Sequence, residues 1–305
     1  MENIQFIIII FFSPLIQGII KKLKANFQGR VGSSIFQPYY DLMRLFKKEM
    51  VVSHVTSWIF RVAPYIVFVS TTMAAIMVPV ITTKSTYSIT GDIIVLIYVF
   101  AIGKFFMALA ALDAGTAFGG EGSSREMMVS ILVEPMIMLC IFTTAIAAGS
   151  TNLAVIAEQH NTILTPSHML AFFAFMIAIV ADTGRIPVDN PDTHLELTMI
   201  HEGMLLEYSG RYLALMEWAH YMKQMLLFTI VVDMFFPLGI AYNGGMSEIA
   251  VSFAAYGIKM IFLACVMSIV ESTRAKLRVF ELPSLLGGSF ALAVLSLLTL
   301  IMIGR

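Results

Sequence analysis

Residues 91–111 read GDIIVLIYVFAIGKFFMALAA, a run that is apolar almost all the way round a helix and keeps a single lysine, Lys104, inside. About 20 predominantly apolar residues are what a helix needs to cross the hydrocarbon core of a bilayer. Working outward from this run, seven more appear, near 4–20, 60–81, 126–148, 168–182, 213–240, 249–270 and 284–303. Of the 305 residues, 58% are hydrophobic and 13% charged, a balance that belongs to membrane proteins and leaves almost no chain for a soluble domain. The expected fold is an all-α polytopic membrane protein, a single integral membrane domain over 1–305. It has about eight transmembrane helices and one interfacial amphipathic helix.

Basic residues set the orientation, because positively charged loops are retained on the cytoplasmic side. The loop after the first run carries Lys21, Lys22, Lys24, Arg30, Arg44, Lys47, Lys48 and Arg61. Later loops of the same parity add Arg125, Arg185, Arg211, Arg274, Lys276 and Arg278, against only Lys84 and Arg305 on the other side. Both termini are therefore expected outside the cytoplasm, and the opening stretch, with Glu2 and no small-x-small cleavage site, reads as a retained reverse signal anchor.

Several function classes drop out. Net charge near −1 says nothing about nucleic acid, and no basic stripe interleaved with aromatics suggests it. Cys140 and Cys265 are too few and too isolated for an iron–sulfur or zinc site, so any redox centre belongs to a partner. The glycine-rich FGGEGSS at 118–124 lacks both the preceding strand and the P-loop spacing of a nucleotide site. No internal repeat argues for an inverted-repeat transporter.

Three cytoplasmic stretches have more to say. In NFQGRVGSSIFQPYYDLMRLFKKE (26–49), residues Ile35, Phe36, Tyr39, Tyr40, Leu42, Met43 and Phe46 are spaced for a helix after Pro38. With Arg44, Lys47 and Lys48 toward lipid phosphates, it reads equally as a lipid anchor or as a platform for a soluble partner. In LDAGTAFGGEGSSREMMVSILVEP (112–135), Ser123 or Ser124 is expected to cap a helix whose first turn holds Glu126, while Glu134 lies inside a span with no ordinary structural task. In 181–211, a helix is expected over 193–207 with His194 and His201 on one face, and Gly210 is expected to close it. The zinc-protease spacing fails, since no second histidine follows four residues after His201.

Ionisable residues also sit within or at the edges of the spans: Lys104, Asp182, Glu217, His220, Lys223, Asp233, Lys259 and Glu271. Glu217, His220 and Gln224 share a helical stripe with Lys223 at its edge. Taken singly, each has a structural reading: Glu271 with Arg274 as an interface ion pair, Lys223 or Lys259 as a neutralising neighbour. Taken together, each buried charge adds about 2.5–3.5 kcal/mol of insertion cost that packing alone does not require, and the set reads as a proton relay.

Three motifs carry a resemblance over nearly the whole chain: GRVGSSIFQPYYDLMRLFKKE at 29–49, FGGEGSSREMMVSILVEP at 118–135, and IPVDNPDTHLELT leading to EYSG within 186–210. The sequence resembles the membrane subunit shared by respiratory NADH-quinone oxidoreductase and the energy-converting group 4 Ni-Fe hydrogenases, including the formate hydrogenlyase and hydrogenase-4 membrane subunits. The first two motifs look more like the hydrogenase branch.

The resemblance implies a multi-pass subunit of the cytoplasmic (inner) cell membrane. It would anchor a cytoplasmic arm made of an Fe-S small subunit and a Ni-Fe large-subunit-like protein, and couple redox turnover to proton or sodium translocation through antiporter-like membrane partners. The Fe-S clusters and the Ni-Fe centre are expected in those partners, with no cofactor or metal bound by this chain and no catalytic centre of its own. The resemblance places Glu134, Asp182, Asp192, Glu196 and Glu207 in the relay, and the expected relay also takes in Glu202, Glu217, His220 and Lys223 from the residues themselves. The implied docking residues are Arg30, Gln37, Tyr40, Asp41, Glu121, Arg125, Arg185 and Asp189. Two departures, His194 where many relatives have glutamate and a longer segment from Leu197 to Glu207, put a quinone pocket in doubt. The alternatives are a quinone-site subunit of NADH-quinone oxidoreductase and a stand-alone secondary transporter.

Overall fold

The structure, a computed structural model, describes residues 5–82, 91–158, 165–189, 199–241 and 246–303. In chain order the helices are α1 (Gln5–Phe27), the short α2 (Gln37–Lys47), α3 (Trp58–Met77), α4 (Ile93–Asp113), α5 (Ala117–Ala148) and the short α6 (Leu153–Glu158). There follow α7 (Pro166–Asp182), the single-turn α8 (His201–Leu205), α9 (Gly210–Phe235), α10 (Met246–Thr273) and α11 (Leu282–Ile303). Among the described residues there is no strand, only isolated bridges from Thr82 to Ala241 and from Asp92 to Asn152. Six helices, α1, α3, α4, α5, α10 and α11, are long and apolar enough to cross a membrane. The apolar α7 is shorter, and α9 carries Arg211, Glu217, Lys223 and Asp233.

The bundle is built around α9. Every residue from Gln224 to Phe235 is buried, so this helix is enclosed on all sides, with α1, α3 and α7 packed on it and α10 touching it more lightly. The outer helices are the reverse: Tyr98 of α4, Ile131 of α5, Ile258 and Phe262 of α10 and Met302 of α11 face outward, exposed. Large apolar side chains on the outside of a helical bundle are what lipid, not water, accepts. The chain is a multi-pass membrane protein.

Two prolines show how the interior is tied together. A proline inside a helix removes one N–H and frees the carbonyl four residues earlier, which must find another donor in a dry interior. Pro14 of α1 frees the carbonyl of Ile10, which accepts from the Trp218 indole N–H at 3.0 Å and from Ser13 Oγ at 3.2 Å. Pro64 of α3 frees that of Phe60, which accepts from the Tyr208 hydroxyl at 2.9 Å. Both freed carbonyls are thereby fastened to α9 or the turn entering it.

That turn is the EYSG motif. Tyr208 also stacks on Phe60, ring centroids 4.0 Å apart, and Ser209 Oγ accepts from the Val51 N–H at 2.8 Å. Gly210 has φ +53°, and a Cβ there would lie 2.6 Å from the carbonyl oxygen of Glu49. Only glycine allows that approach, so Gly210 opens α9 and does not close the helix before it, correcting the expectation. The helix expected over 193–207 is a single turn, His201–Leu205, in its described part; 190–198 lie outside the described residues.

The expected start of α5 is also corrected. The helix begins at Ala117, capped by the Thr116 hydroxyl on the Gly119 N–H, and the glycine-rich segment is helical. Ser123 instead donates to the carbonyl of Ala108, and Glu126 lies buried well past the first turn. Gly122 is needed because α8 crosses there, where a Cβ would sit 3.0 Å from the carbonyl of Ile200, and Gly119 because a Cβ would lie 2.7 Å from the carbonyl of Ala111 on α4. At 32 residues α5 is about 48 Å long, more than the roughly 30 Å hydrocarbon thickness, so its first turns extend beyond the apolar slab.

Candidate functional site

Four helices bring a file of charges together. Asp182, at the C-terminal end of α7, lies 2.5 Å from Lys104 of α4 and 2.9 Å from Lys223 of α9. Lys104 reaches on to Glu134 of α5 at 3.2 Å. Glu126, about two turns before Glu134 on α5, is buried within the field of both lysines. Two lysines thus face three carboxyls, Asp182, Glu134 and Glu126, so the group cannot be neutral with all five ionised. One proton or one counter-charge is left to be shared, and that is a condition for moving protons. Lys223 lies about 20 Å along α9 from Gly210, deep enough for its charge to demand a partner.

At one end the file adjoins a cavity of about 380 Å³, bounded by α1, α2, the turn after α7, α8 and α9. Its lining includes Gln17, Lys21, Asp41, Glu202, Glu217 and Tyr221, and the facing rings of His201 and His220, centroids 4.4 Å apart. Burial first, and then the Lys223 charge, hold the His201 imidazole down to about 4, so it is neutral at physiological pH. At the other end, Glu134 has a side chain 37% exposed and lines, with Lys104, Asp182, Phe100 and Ile137, a cleft between α4, α5, α7 and α9.

A second ionic cluster lies beside the cavity and is closed. Arg185, 3% exposed, donates to Glu271 Oε1 at 3.0 Å, to Gln224 Oε1 at 2.6 Å and to Gln17. Lys24 meets the other oxygen of Glu271 at 3.1 Å. Asp189, 1% exposed, accepts from Lys276 at 2.7 Å and from the N–H groups of Ile200 and His201 at 3.0 and 3.3 Å, fixing the start of α8. Glu271 therefore pairs with Arg185 and Lys24, not with Arg274. Five segments distant in sequence are joined here, which local pattern could not indicate.

The expected residues divide as follows. Asp182, Lys223 and Glu134 form the file, while Glu202, Glu217 and His220 line the cavity. Glu207 is exposed on the turn outside it, because Tyr208 and Ser209 anchor that turn against 51–60 and aim Glu207 away. Asp192, Glu196 and His194 lie outside the described residues. Of the expected docking residues, Arg30, Tyr40 and Glu121 are exposed and Gln37, Asp41 and Arg125 partly so. Asp41 is held by Gln37 and Arg44 at 3.0 and 3.2 Å, and Arg125 donates to the Met199 carbonyl at 3.0 Å besides pairing with Glu121. Arg185 and Asp189 are buried in the cavity wall and bonded within the chain.

Lys104 and Glu126 are not among the expected relay residues, although a lysine alone in the middle of 91–111 is a signal. Among the described residues no three His, Cys, Asp or Glu side chains gather as a metal-binding group.

The fold and these clusters define a multi-pass helical membrane protein with charge enclosed in its interior. The chain belongs to the NADH dehydrogenase family, whose model matches residues 1–304. It is 34% identical to hydrogenase-4 component C of Escherichia coli strain K12 over 296 residues, covering 96% of this chain and 92% of that one. It is 31% identical to formate hydrogenlyase subunit 4 of the same strain over 301 residues, covering 98% and 97%. A chain in the structure of the membrane-bound sulfane sulfur reductase, an archaeal respiratory membrane complex, has the same fold, with a TM-score of 0.81 at 19% identity over 96% of each chain. The relatives are subunits of oxidoreductase complexes, and this chain is a membrane subunit related to them.

Proposed function

We propose that this chain is the coupling and anchoring membrane subunit of a hydrogenase-type, complex I-related oxidoreductase. Eight helices cross the membrane, the six apolar ones together with α7 and α9, and both termini lie outside the cytoplasm. The enclosure of α9 among the apolar spans supports counting it as a span. The basic residues that gather at the cavity end, Lys21, Lys24, Arg30, Arg44 and Arg185 among them, support placing that end in the cytoplasm. An arm carrying Fe-S clusters and a Ni-Fe centre docks there, over α2, the start of α5 and α8, and antiporter-like subunits lie alongside in the membrane.

The observation that carries this reading is the continuity of the file: a polar cavity, then Lys223, Asp182 and Lys104, ending in Glu134 partly exposed on a face of apolar spans. A charge left to lipid at that depth is costly, so the Glu134 face is suited to a polar membrane partner. Redox turnover in the docked arm alters the field or the loop around the cavity, shifts proton occupancy along the file and passes protons laterally. The ionisable lining of the cavity suits water and protons better than the apolar tail of a quinone, which favours the hydrogenase reading over a quinone site.

The test is made on the assembled complex in liposomes. Glu134→Gln and Glu196→Gln are expected to leave assembly and artificial-acceptor redox activity near normal while lowering ion translocation per electron. Undiminished translocation in both overturns the relay. Co-purification of Ni-Fe and Fe-S proteins, as against flavin and quinone-dependent NADH oxidation, separates the hydrogenase reading from the quinone one.

A further inference from the structure

The file does not use every buried charge on α9. Asp233, two residues before the end of the helix, is 1% exposed, and its Oδ2 has no hydrogen-bond partner. Among the described residues no cation lies within ion-pair distance of it. Lys259 of α10 approaches the same place, but its ammonium donates to the carbonyl of Phe236 at 2.8 Å and to that of Leu238, beyond the last turn of α9. One turn earlier on α9, the Thr229 hydroxyl bonds the Tyr256 hydroxyl of α10 at 2.8 Å. Asp233 thus lies on the α10 side of α9, whereas Lys223 points to α7, and the two are separated by ten residues, about 15 Å of helix.

This carboxyl holds nothing together. Asparagine or threonine would fill the position without the cost of a buried ionisable group, and an isolated ionised carboxylate in such surroundings is far too expensive to persist. A side chain of that kind changes charge by gaining or losing a proton. Among the described residues the titratable groups on the elements packed at this end of α9 are Tyr256, Lys259 and the exposed Glu248 of α10, His168 of α7, whose Nδ1 is bonded to Thr165 at 2.7 Å, and the exposed Glu158 of α6. Of these only Lys259 both bears a charge that acts on Asp233 and reaches the surface, being half-buried.

We propose that Asp233 is a second proton-exchanging site, separate from the file and opening through Lys259 to the membrane face opposite the cavity. A proton adds to the carboxylate oxygen and leaves from it toward that face; no bond to carbon and no electron is involved. The assignment of faces rests on the membrane orientation proposed above.

The experiment uses the assembled complex in sealed vesicles. Infrared spectra recorded across a pH titration should show a protonated-carboxyl carbonyl band that is lost in Asp233→Asn and restored, shifted, in Asp233→Glu. In Lys259→Cys, a membrane-impermeant maleimide should label the new thiol from the face opposite the redox arm and not from the arm's face. Identical titrations in wild type and Asp233→Asn, with both complexes assembled, overturn the proposal, as does labelling of Lys259→Cys from the arm's face alone. If Glu134→Gln and Glu196→Gln both leave translocation intact while the Asp233 band still titrates, the coupling reading fails and this site stands. Loss of translocation in Glu134→Gln with no Asp233 band does the reverse.

Discussion

Two ionic clusters lie at the cavity, one with Arg185 and Asp189 in its wall and one behind it, and they are built on opposite plans. Around Arg185 every charge is answered: Glu271 has one cation at each oxygen, and the guanidinium has two amide oxygens besides, while the buried Gln224 Nε2 has no hydrogen-bond partner among the described residues. Around Asp182 the charges form an open line that adjoins the cavity at one end and reaches a half-covered carboxylate at the other, with a carboxyl in excess of its lysines. The closed cluster joins α1, the turn after α7, α9 and α10; the open one joins α4, α5, α7 and α9. A buried ion pair is weak evidence of stability gained but strong evidence of stability lost when half of it is removed. The closed cluster is therefore a lock, and the open one is where charge can move.

Arg185→Ala attacks the lock most directly. It leaves Glu271 with Lys24 alone and the Gln17 and Gln224 amide oxygens without their donor, and is expected to cost about 3–5 kcal/mol, enough to remove the chain from the assembled complex, read as the amount recovered in purified complex and its thermal stability. Redox activity and assembly both intact in this variant would erase the distinction. Lys104→Met cuts the file in its middle but leaves Asp182 on Lys223. The expected stability loss is smaller, about 1–3 kcal/mol, with ion translocation abolished and artificial-acceptor activity kept.

Tyr208→Phe touches neither cluster and calibrates both. It removes the bond to the carbonyl freed by Pro64 and should cost about 1 kcal/mol in thermal stability, with translocation unchanged. His201, on the cavity wall near Lys223 and His220, gives no effect at neutral pH and one that emerges only in acid. Its imidazole is held at about 4 against an ordinary 6.5. Above pH 6.5 folded and unfolded chains are both neutral there and nothing is lost; as pH falls toward 4 the unfolded chain takes a proton that the folded one refuses, so stability falls. Thermal unfolding between pH 6.5 and 4 should be shallower in His201→Gln.

The motifs are legible unevenly, for physical reasons. The positions of α3, α4, α7 and α11 follow from apolar runs, but α5 starts nine residues before its expected span, since Gly119 and Gly122 serve close helix packing and not a loop. EYSG reads as a source of relay acid, yet three of its four residues hold the entry of α9 against 48–60. Glu134 and Asp182 can be picked out because a carboxyl in an apolar run stands apart from its neighbours. Arg185 and Asp189 cannot be placed that way, because a charge in a polar loop does not show whether the loop folds inward.

By itself the sequence determined that this protein lives in a membrane, which runs of it are apolar, and that it carries more buried charge than packing needs, because transfer to lipid depends on local composition. Only the tertiary structure decided which charges meet. Lys104, Asp182 and Glu134 become a file, and Arg185 and Glu271 a lock, through helix packing between distant segments. Coulomb interaction depends on distance in space, which spacing along the chain does not encode.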